Sequence, residues 1–204
     1  MSEPMIDGVI KFHIEHQTQV LPEFEAYFEL ETLRSRLFAM GLIGETSDGT
    51  GYGNISMRAG QHSFFITATQ TGKHAALAQE QYAYVHNYDF EKFTVYSQGA
   101  KKPSSEALSH AMIYDIHPDI QAVIHVHSAP LWQMMIQENY LATTAEYGTT
   151  AMVYEIARLH DNHNPFEHNA FVMKGHEDGV ITFGRTTAEA ELKLLQIVKT
   201  CFNI

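Results

Sequence analysis

The sequence predicts an α/β domain, because segments with helical periodicity alternate along the chain with short apolar segments typical of strands. The chain has 204 residues, of which 45% are hydrophobic, and this is enough for one ordinary domain with its own core. Only 18% of the residues are charged, which favours a compact globule over a disordered chain. Without a repeat, linker or low-complexity segment, we predict a single domain over residues 1–204, with residues 1–20 as an N-terminal lead-in.

The first half of the chain is predicted to contain one helix followed by short strands. Apolar residues recur at helical spacing from Glu23 to Met40, and Gly41 and Gly44 supply the stop. After a glycine-rich turn that ends at Asn54, the candidate strands are Ile55–Arg58, Phe64–Thr67, Tyr82–Tyr88 and Phe93–Ser97.

The second half alternates helices and strands more regularly. The predicted elements are a helix from Pro103 to His117, a strand at Ala122–His127, helices from Ser128 and over Thr149–His160, and strands at Ala170–Met173 and Val180–Phe183. Thr186 and Glu189 form a capping-box pattern for a last helix. Its predicted inward face carries Leu192, Leu195, Val198 and Phe202.

Charge and cysteine content exclude several classes of function. The formal net charge of −11 disfavours nucleic acid or an anionic membrane as the partner, so an anionic ligand needs a local site. Cys201 is the single cysteine, which excludes an internal disulfide and suits a reducing compartment. The acidic N-terminus lacks the apolar segment of a signal peptide, and the longest apolar stretch, 37–44, is too short to span a bilayer. We therefore expect a cytoplasmic protein.

A pair of histidines on the buried strand is the first candidate for chemistry. Side chains at positions i and i+2 of a strand point to the same face about 7 Å apart, so His125 and His127 could share one metal ion, while Ile124 and Val126 face the other way. Two half-buried histidines satisfied by carbonyl oxygens are an equally good interpretation of this pair alone.

Several histidines compete for the position of a third ligand. His176 lies in a turn between two strands, where a ligand is easily aimed at a sheet edge. His160, His163 and His168 cluster in a polar segment that favours a solvated loop. His110 follows Glu106 by four residues on a helix, so it is either a rival ligand or a hydrogen-bonded core residue.

Three turns could bind an anion, and each also has a purely structural interpretation. Ser104-Ser105-Glu106 is a good helix start, but its hydroxyls, amides and helix dipole also suit an anion, with Glu106 as a proton carrier beside it. The glycine-rich turn before Asn54 and the turn Thr69–Lys73 are either plain loops or backbone nests. The glycine-rich turn lacks the spacing of a dinucleotide fingerprint, and the turn Thr69–Lys73 lacks the spacing of a P-loop.

The order of these motifs resembles the class II aldolase/adducin family. The matching segments are Gly53-Asn54-Ile55-Ser56, residues 66–72, Pro103-Ser104-Ser105-Glu106 with His110, Ala122–His127, Tyr147-Gly148-Thr149, and Gly175-His176 with Gly179, Gly184 and Glu189-Ala190. The resemblance covers roughly Leu30 to Ile197, and the ordered combination is specific although each segment is short.

The resemblance implies a fold and a site. The family fold is a three-layer α/β/α sandwich with a central mixed, mainly antiparallel sheet, commonly in a homotetramer. By the resemblance, the metal ligands are His125, His127 and His176, the catalytic acid/base is Glu106, and a substrate phosphate or similar anion is bound by Asn54, Thr71, Gly72, Ser104 and Ser105. The implied cofactor is a divalent metal, with Zn²⁺ the best match to three imidazoles and manganese, cobalt or iron as alternatives.

The implied function is a metal-dependent lyase of carbohydrate metabolism. Retro-aldol cleavage of a ketose phosphate or related hydroxy-carbonyl substrate, through a metal-stabilised enediolate, is the first choice. A dehydratase of the methylthioribulose-phosphate type, an epimerase, a non-catalytic adducin-like interaction module and a plain metal-binding protein are the alternatives. The segment between His127 and Tyr147 is shorter than in the family's sugar-phosphate aldolases, where it supplies a tyrosine, and Tyr140 is the nearest candidate here.

Overall fold

The computed structural model describes residues 10–161 and 164–204. Its helices are α1 (Tyr27–Ala39), α2 (Ala107–Ile116), α3 (Ala129–Gln137), α4 (Thr150–Leu159) and α5 (Thr187–Phe202). Its strands are β1 (His13–Thr18), β2 (Gly44–Glu45), β3 (Gly51–Tyr52), β4 (Asn54–Gly60), β5 (Ser63–Thr67), β6 (Tyr82–Asp89), β7 (Thr94–Gly99), β8 (Ala122–His127), β9 (Ala142–Thr143), β10 (Ala170–Met173) and β11 (Gly179–Gly184).

One large mixed sheet forms the centre of the molecule. Within the described residues, its nine strands lie in the order β1-β7-β6-β5-β4-β8-β11-β10-β9, and β2 pairs separately with β3. Among the strands that the structure describes, only the two outermost pairs, β1 with β7 and β9 with β10, are parallel, and every other neighbouring pair is antiparallel. The predicted mixed, mainly antiparallel sheet is therefore confirmed.

Helices cover both faces of this sheet, which confirms the three-layer α/β/α sandwich. The apolar residues of α2 and α4 bury one face, and those of α1, α3 and α5 bury the other. Residues that alternate along β8 divide between the two cores, so that Val123 belongs to the first, and Ile124 and Val126 belong to the second. The side chain of His125 consequently points to the α2 side of the sheet.

The predicted inward face of α5 is wrong for Leu192, Leu195 and Phe202, whereas Val198 is partly buried and packs against the core as predicted. The residues that pack inward are Thr187, Ala190, Leu194 and Ile197, whereas Leu192 and Phe202 are 56% and 51% exposed and Leu195 is 40% exposed. Both sets have helical spacing, so the sequence carries two apolar stripes on one helix. The inward stripe contains Ala190, which lies so close to β11 that a Cβ at Gly184 would be 2.6 Å from Ala190 N. Periodicity does not encode this close approach.

Strand β1 was not predicted at all. It pairs with β7 at the edge of the sheet, and its sequence contains one apolar residue, Ile14, among polar ones. An edge strand of this kind lacks the apolar alternation that reveals half-buried strands. The predicted lead-in therefore contributes a strand to the sheet, while its residues 1–9 lie outside the described residues. No helix in the described part of the chain is long and apolar enough to cross a membrane.

Candidate metal centre

Four potential metal ligands converge at one end of the sheet. Ligand atoms of Glu106, His125, His127 and His176 all lie within 4.8 Å of one another. Glu106 precedes α2, the first two histidines end β8, and His176 lies in the turn between β10 and β11. Glu106 Oε1 lies 3.0 Å from His125 Nδ1 and 3.4 Å from His176 Nε2. The structure thus brings the distant His176 to the predicted His-x-His pair.

The donor set fits a divalent metal. The Nε2 atoms of His127 and His176 are 3.1 Å apart. Two imidazole nitrogens at about 2.0–2.1 Å from one ion are separated by roughly 2.9 Å at a right angle and about 3.4 Å at the tetrahedral angle. In addition, His125 Nε2 and Glu106 Oε2 are buried without a hydrogen-bond partner among the described residues. Unsatisfied buried polar atoms are costly, and an ion held by this donor set would offset part of that cost.

Burial and charge set the protonation states of this cluster. Burial raises the pKa of Glu106, but the positive charge and hydrogen bonds of His125, and those of His176, outweigh burial and hold that pKa well below its usual value. Burial lowers the pKa of His127 well below its usual value, and the neighbouring His125 and His176 lower it further. The carboxylate is therefore ionised and His127 neutral near pH 7, which are the forms that bind a metal.

The position of His176 depends on two glycines and a carboxylate. A Cβ at Gly175 would overlap the carbonyl of Ala145 and lie 2.5 Å from Thr144 O. The carboxylate of Glu155 on α4 holds that segment in place, because it accepts hydrogen bonds from Thr144 N at 2.6 Å and Ala145 N at 2.9 Å. On the other side, a Cβ at Gly179 would lie 2.9 Å from Cδ2 of the His176 ring.

Two tyrosines next to the cluster were given no role from the sequence. The ring of Tyr52 stacks on His127 with centroids 5.3 Å apart, and the buried Tyr147 lies 4.6 Å from the His176 ring. Nζ of Lys11 lies 4.0 Å from the centroid of the Tyr147 ring. Tyr147 belongs to a matched family segment, but nothing in its local pattern indicates contact with a ligand. The nearest tyrosine candidate, Tyr140, instead packs against the core on the opposite face of the sheet.

The five predicted anion-binding residues line one small pocket beside the cluster. These residues are Asn54, Thr71, Gly72, Ser104 and Ser105, and all of them are buried. Asn54 pairs directly with His125 across β4 and β8, which brings its Nδ2 to 3.1 Å from His125 Nδ1. The segments around Thr67 and Ser104 are joined by a hydrogen bond from Ser104 N to Thr67 O at 3.2 Å. Glu106 and His127 line the same pocket, so the residues predicted to bind an anion and those predicted to bind a metal adjoin one another.

The competing histidines lie elsewhere. His110 is a buried core residue whose Nδ1 lies 2.7 Å from Ser56 Oγ. The expectation of a solvated loop is wrong for His160, which is 7% exposed and packs on Phe183, and correct for the exposed His168. His163 lies outside the described residues. No other metal-ligating cluster was found in residues 10–161 and 164–204.

Comparison with known proteins identifies the relatives of this chain. The family model for the class II aldolase and adducin N-terminal domain matches residues 44–203. A sugar-phosphate aldolase from Thermotoga maritima superposes with a TM-score of 0.67 at 18% identity, covering 87% of this chain and 92% of that chain. YgbL from Klebsiella pneumoniae superposes with a TM-score of 0.66 at 20% identity, covering 87% of this chain and 86% of that chain. Aldolase, epimerase and decarboxylase are named as its candidate activities. L-fuculose-1-phosphate aldolase from Thermus thermophilus gives 0.59 at 21% identity, with 86% and 88% covered. At these identities the structural likeness shows the fold.

Proposed function

The chain belongs to the class II aldolase and adducin family, and we propose that it is a metal-dependent lyase that cleaves a ketose phosphate or a related hydroxy-carbonyl compound by a retro-aldol reaction. The observation that carries this proposal is the convergence of Glu106, His125, His127 and His176 within 4.8 Å, beside a pocket lined by Asn54, Thr71, Gly72, Ser104 and Ser105. An interaction module needs no such cluster, and a plain metal-binding site needs no adjoining anion pocket.

His125, His127 and His176 would hold the ion, which leaves a coordination position for substrate. When bound, the ion would act as a Lewis acid toward the carbonyl and hydroxyl oxygens of a ketose. Three neutral imidazoles fit Zn²⁺ best, and we propose zinc as the resident metal. A cytoplasmic homotetramer is the assembly that we propose, on the family resemblance alone.

Glu106 would be the proton carrier. A cation held by the three histidines would favour the ionised carboxylate, as His125 and His176 do without it, so Glu106 would enter as the base. Its Oε2 has no hydrogen-bond partner among the described residues that would compete for a substrate proton. Burial keeps water away from that oxygen. Carbon–carbon cleavage leaves negative charge on one fragment, and Glu106 would return the proton to it.

The pocket beside the cluster would orient the substrate. Thr71, Gly72, Ser104 and Ser105 line the same pocket as Glu106 and would bind the phosphate or an equivalent anion. Asn54 also lines this pocket, and its Nδ2 lies 3.1 Å from His125 Nδ1. Fixing the anionic end places the reacting carbons near the carboxylate, and such positioning contributes a large part of enzymatic rate enhancement.

Metal content and turnover on a panel of ketose phosphates test this proposal. We expect about one divalent ion per chain by elemental analysis, lost in His125→Ala and kept in His160→Asn, which removes a buried histidine outside the cluster. Glu106→Gln should keep the metal and the fold and lower turnover by about 10²- to 10⁴-fold.

The products distinguish the alternatives. Two carbonyl fragments indicate aldol cleavage, loss of water indicates the dehydratase, and an isomer of unchanged mass indicates the epimerase. Wild-type protein that takes up no metal after reconstitution would overturn the proposal in favour of the adducin-like module. The mechanism would be overturned if turnover survived removal of the metal, or if the Glu106→Gln protein turned over substrate as fast as the wild type.

A further inference from the structure

A buried arginine lies behind the turn Thr69–Lys73. The side chain of Arg34 on α1 is 1% exposed, and its Nη2 donates hydrogen bonds to the carbonyl oxygens of Thr71 at 3.3 Å and Gly72 at 3.1 Å. Its Nη1 is buried without a hydrogen-bond partner among the described residues. An arginine this deeply buried is unusual unless it is paired with an anion.

No carboxylate forms an ion pair with Arg34 in the described part of the chain. Burial lowers the pKa of the guanidinium, and the charge of nearby Glu31 opposes that shift, yet an arginine stays protonated in proteins. The carboxylate of Glu31 is already occupied, because it accepts from Leu77 N at 2.9 Å and from the Tyr82 hydroxyl at 2.6 Å. The Phe38 ring, whose centroid lies 5.3 Å from the guanidinium carbon, adds a cation–π contact. Arg34 is nevertheless buried without a direct ion pair, and its Nη1 has no hydrogen-bond partner among the described residues.

The peptide groups of the turn Thr69–Lys73 connect Arg34 to the pocket. In a trans peptide the N–H points opposite to the C=O, so an arginine that binds the carbonyls of Thr71 and Gly72 leaves the N–H groups of Gly72 and Lys73 facing away from it. Within the described residues neither N–H donates a hydrogen bond. Gly72 lines the pocket and is buried, so its unpaired N–H is available to an anion there.

We propose that Arg34 is the positioning residue and buried counter-charge for a dianionic substrate group, a phosphate monoester, at the turn Thr69–Lys73. This inference rests on the anion-binding role of Thr71 and Gly72 in the proposed function. The guanidinium orients the peptide groups of the turn, and the bound dianion completes the charge balance of the buried arginine. Together with Glu31, one helical turn earlier, Arg34 also anchors the segment 71–77 to α1 at both ends.

Titration of metal-loaded protein with inorganic phosphate, followed by calorimetry, tests the proposal. Arg34→Met removes the charge and keeps most of the stem, and we expect phosphate to bind at least about tenfold more weakly. Arg34→Lys keeps the charge but cannot reproduce the planar fork, and we expect an intermediate loss of about threefold to tenfold. The matched control is Arg36→Met, which removes an exposed arginine of the same helix that pairs with Glu191, and should leave binding within about twofold. The metal content should be equal in all four proteins.

A purely structural role predicts a different pattern. A structural role would lower the thermal stability and the metal content of the variants together. It would not place the phosphate affinity of Arg34→Lys between those of the wild type and Arg34→Met. With a phosphorylated substrate, Arg34→Met should raise KM at least about tenfold and change kcat less than about threefold, whereas a structural defect lowers kcat.

Each result bears on the inference separately from the proposed function. If the Arg34→Lys protein binds phosphate as tightly as the wild type, the inference is overturned, even if Arg34→Met does not fold. A wild-type protein that holds metal and binds no phosphate would overturn the inference while leaving the metal and Glu106 parts of the proposed function standing. Absence of metal from the wild type would instead defeat the proposed function.

Discussion

A single methyl group at Gly175 is expected to displace His176 and weaken metal binding. The added Cβ would overlap the Ala145 carbonyl, so either the segment 144–145 or the His176 turn must move. Glu155 resists the first movement with hydrogen bonds to Thr144 N, Thr144 Oγ1 and Ala145 N at 2.6, 2.9 and 2.9 Å. Hydrogen bonds to a charged group contribute about 1.5–3 kcal/mol each, so losing one or two of them puts the destabilisation at about 1.5–6 kcal/mol.

Urea unfolding and elemental analysis of Gly175→Ala measure both consequences. Gly41→Ala is the matched control, because its φ of +72° imposes backbone strain of about 1–2 kcal/mol but nothing lies within 4 Å of the new Cβ. In the background of Glu155→Ala the segment is released, and the cost of Gly175→Ala should fall by at least about 1 kcal/mol. A Gly175→Ala protein with full metal content and no more destabilisation than the control would refute this account of how His176 is positioned.

Three further predictions follow from single contacts. Gly72→Ala would place a Cβ 2.6 Å from two backbone oxygens, those of Gly44 and Tyr52, and should weaken phosphate binding at least about tenfold by calorimetry; unchanged affinity would contradict the close packing of the turn. Burial lowers the pKa of His110 to about 3, whereas in the unfolded chain it is near 6.5. Between these two values the unfolded state binds a proton that the folded state does not, so the free energy of unfolding falls as the pH falls, by up to about 1.4 kcal/mol per pH unit. Above about pH 6.5 this group contributes no pH dependence. The free energy of unfolding, measured in urea from pH 7.5 to 5, should therefore depend less on pH in His110→Asn than in the wild type. Equal pH dependence in the two proteins would refute the conclusion that His110 is buried in its neutral form. Thr186→Ala removes the hydroxyl that accepts from Glu189 N at 3.0 Å and should cost about 1 kcal/mol in the same assay, against no measurable change for the exposed Thr200→Ala.

Much of the fold was predictable from local patterns. Strand β8 has the predicted bounds, α1 ends beside the predicted Gly41, and Thr186 caps α5 as predicted. The side-chain hydrogen bond of Glu189 departs from the capping box, because it accepts from Arg185 N at 2.7 Å. These features depend on neighbours a few residues apart, which is why periodicity and end signals reveal them.

Other features needed contacts between distant segments. Helix α5 carries two apolar stripes, and only packing against the sheet selected the one with Ala190 and Leu194. Strand β1 has no apolar alternation, and only its pairing with β7 makes it a strand. Arg34 has no local feature that distinguishes it from an ordinary helix-surface arginine, since its burial arises from the turn that lies over α1.

The sequence by itself determined the class of fold, the shared face of His125 and His127, and the order of motifs that marks the family. It also named His176, although spacing alone left several histidines open. Only the tertiary structure shows which of these histidines lies beside the pair. Strand β11 pairs antiparallel with β8, with Gly179 opposite His127, and this pairing brings His176 next to His127. Register between strands is set by the packing of both sheet faces at once, and no stretch of chain specifies it alone.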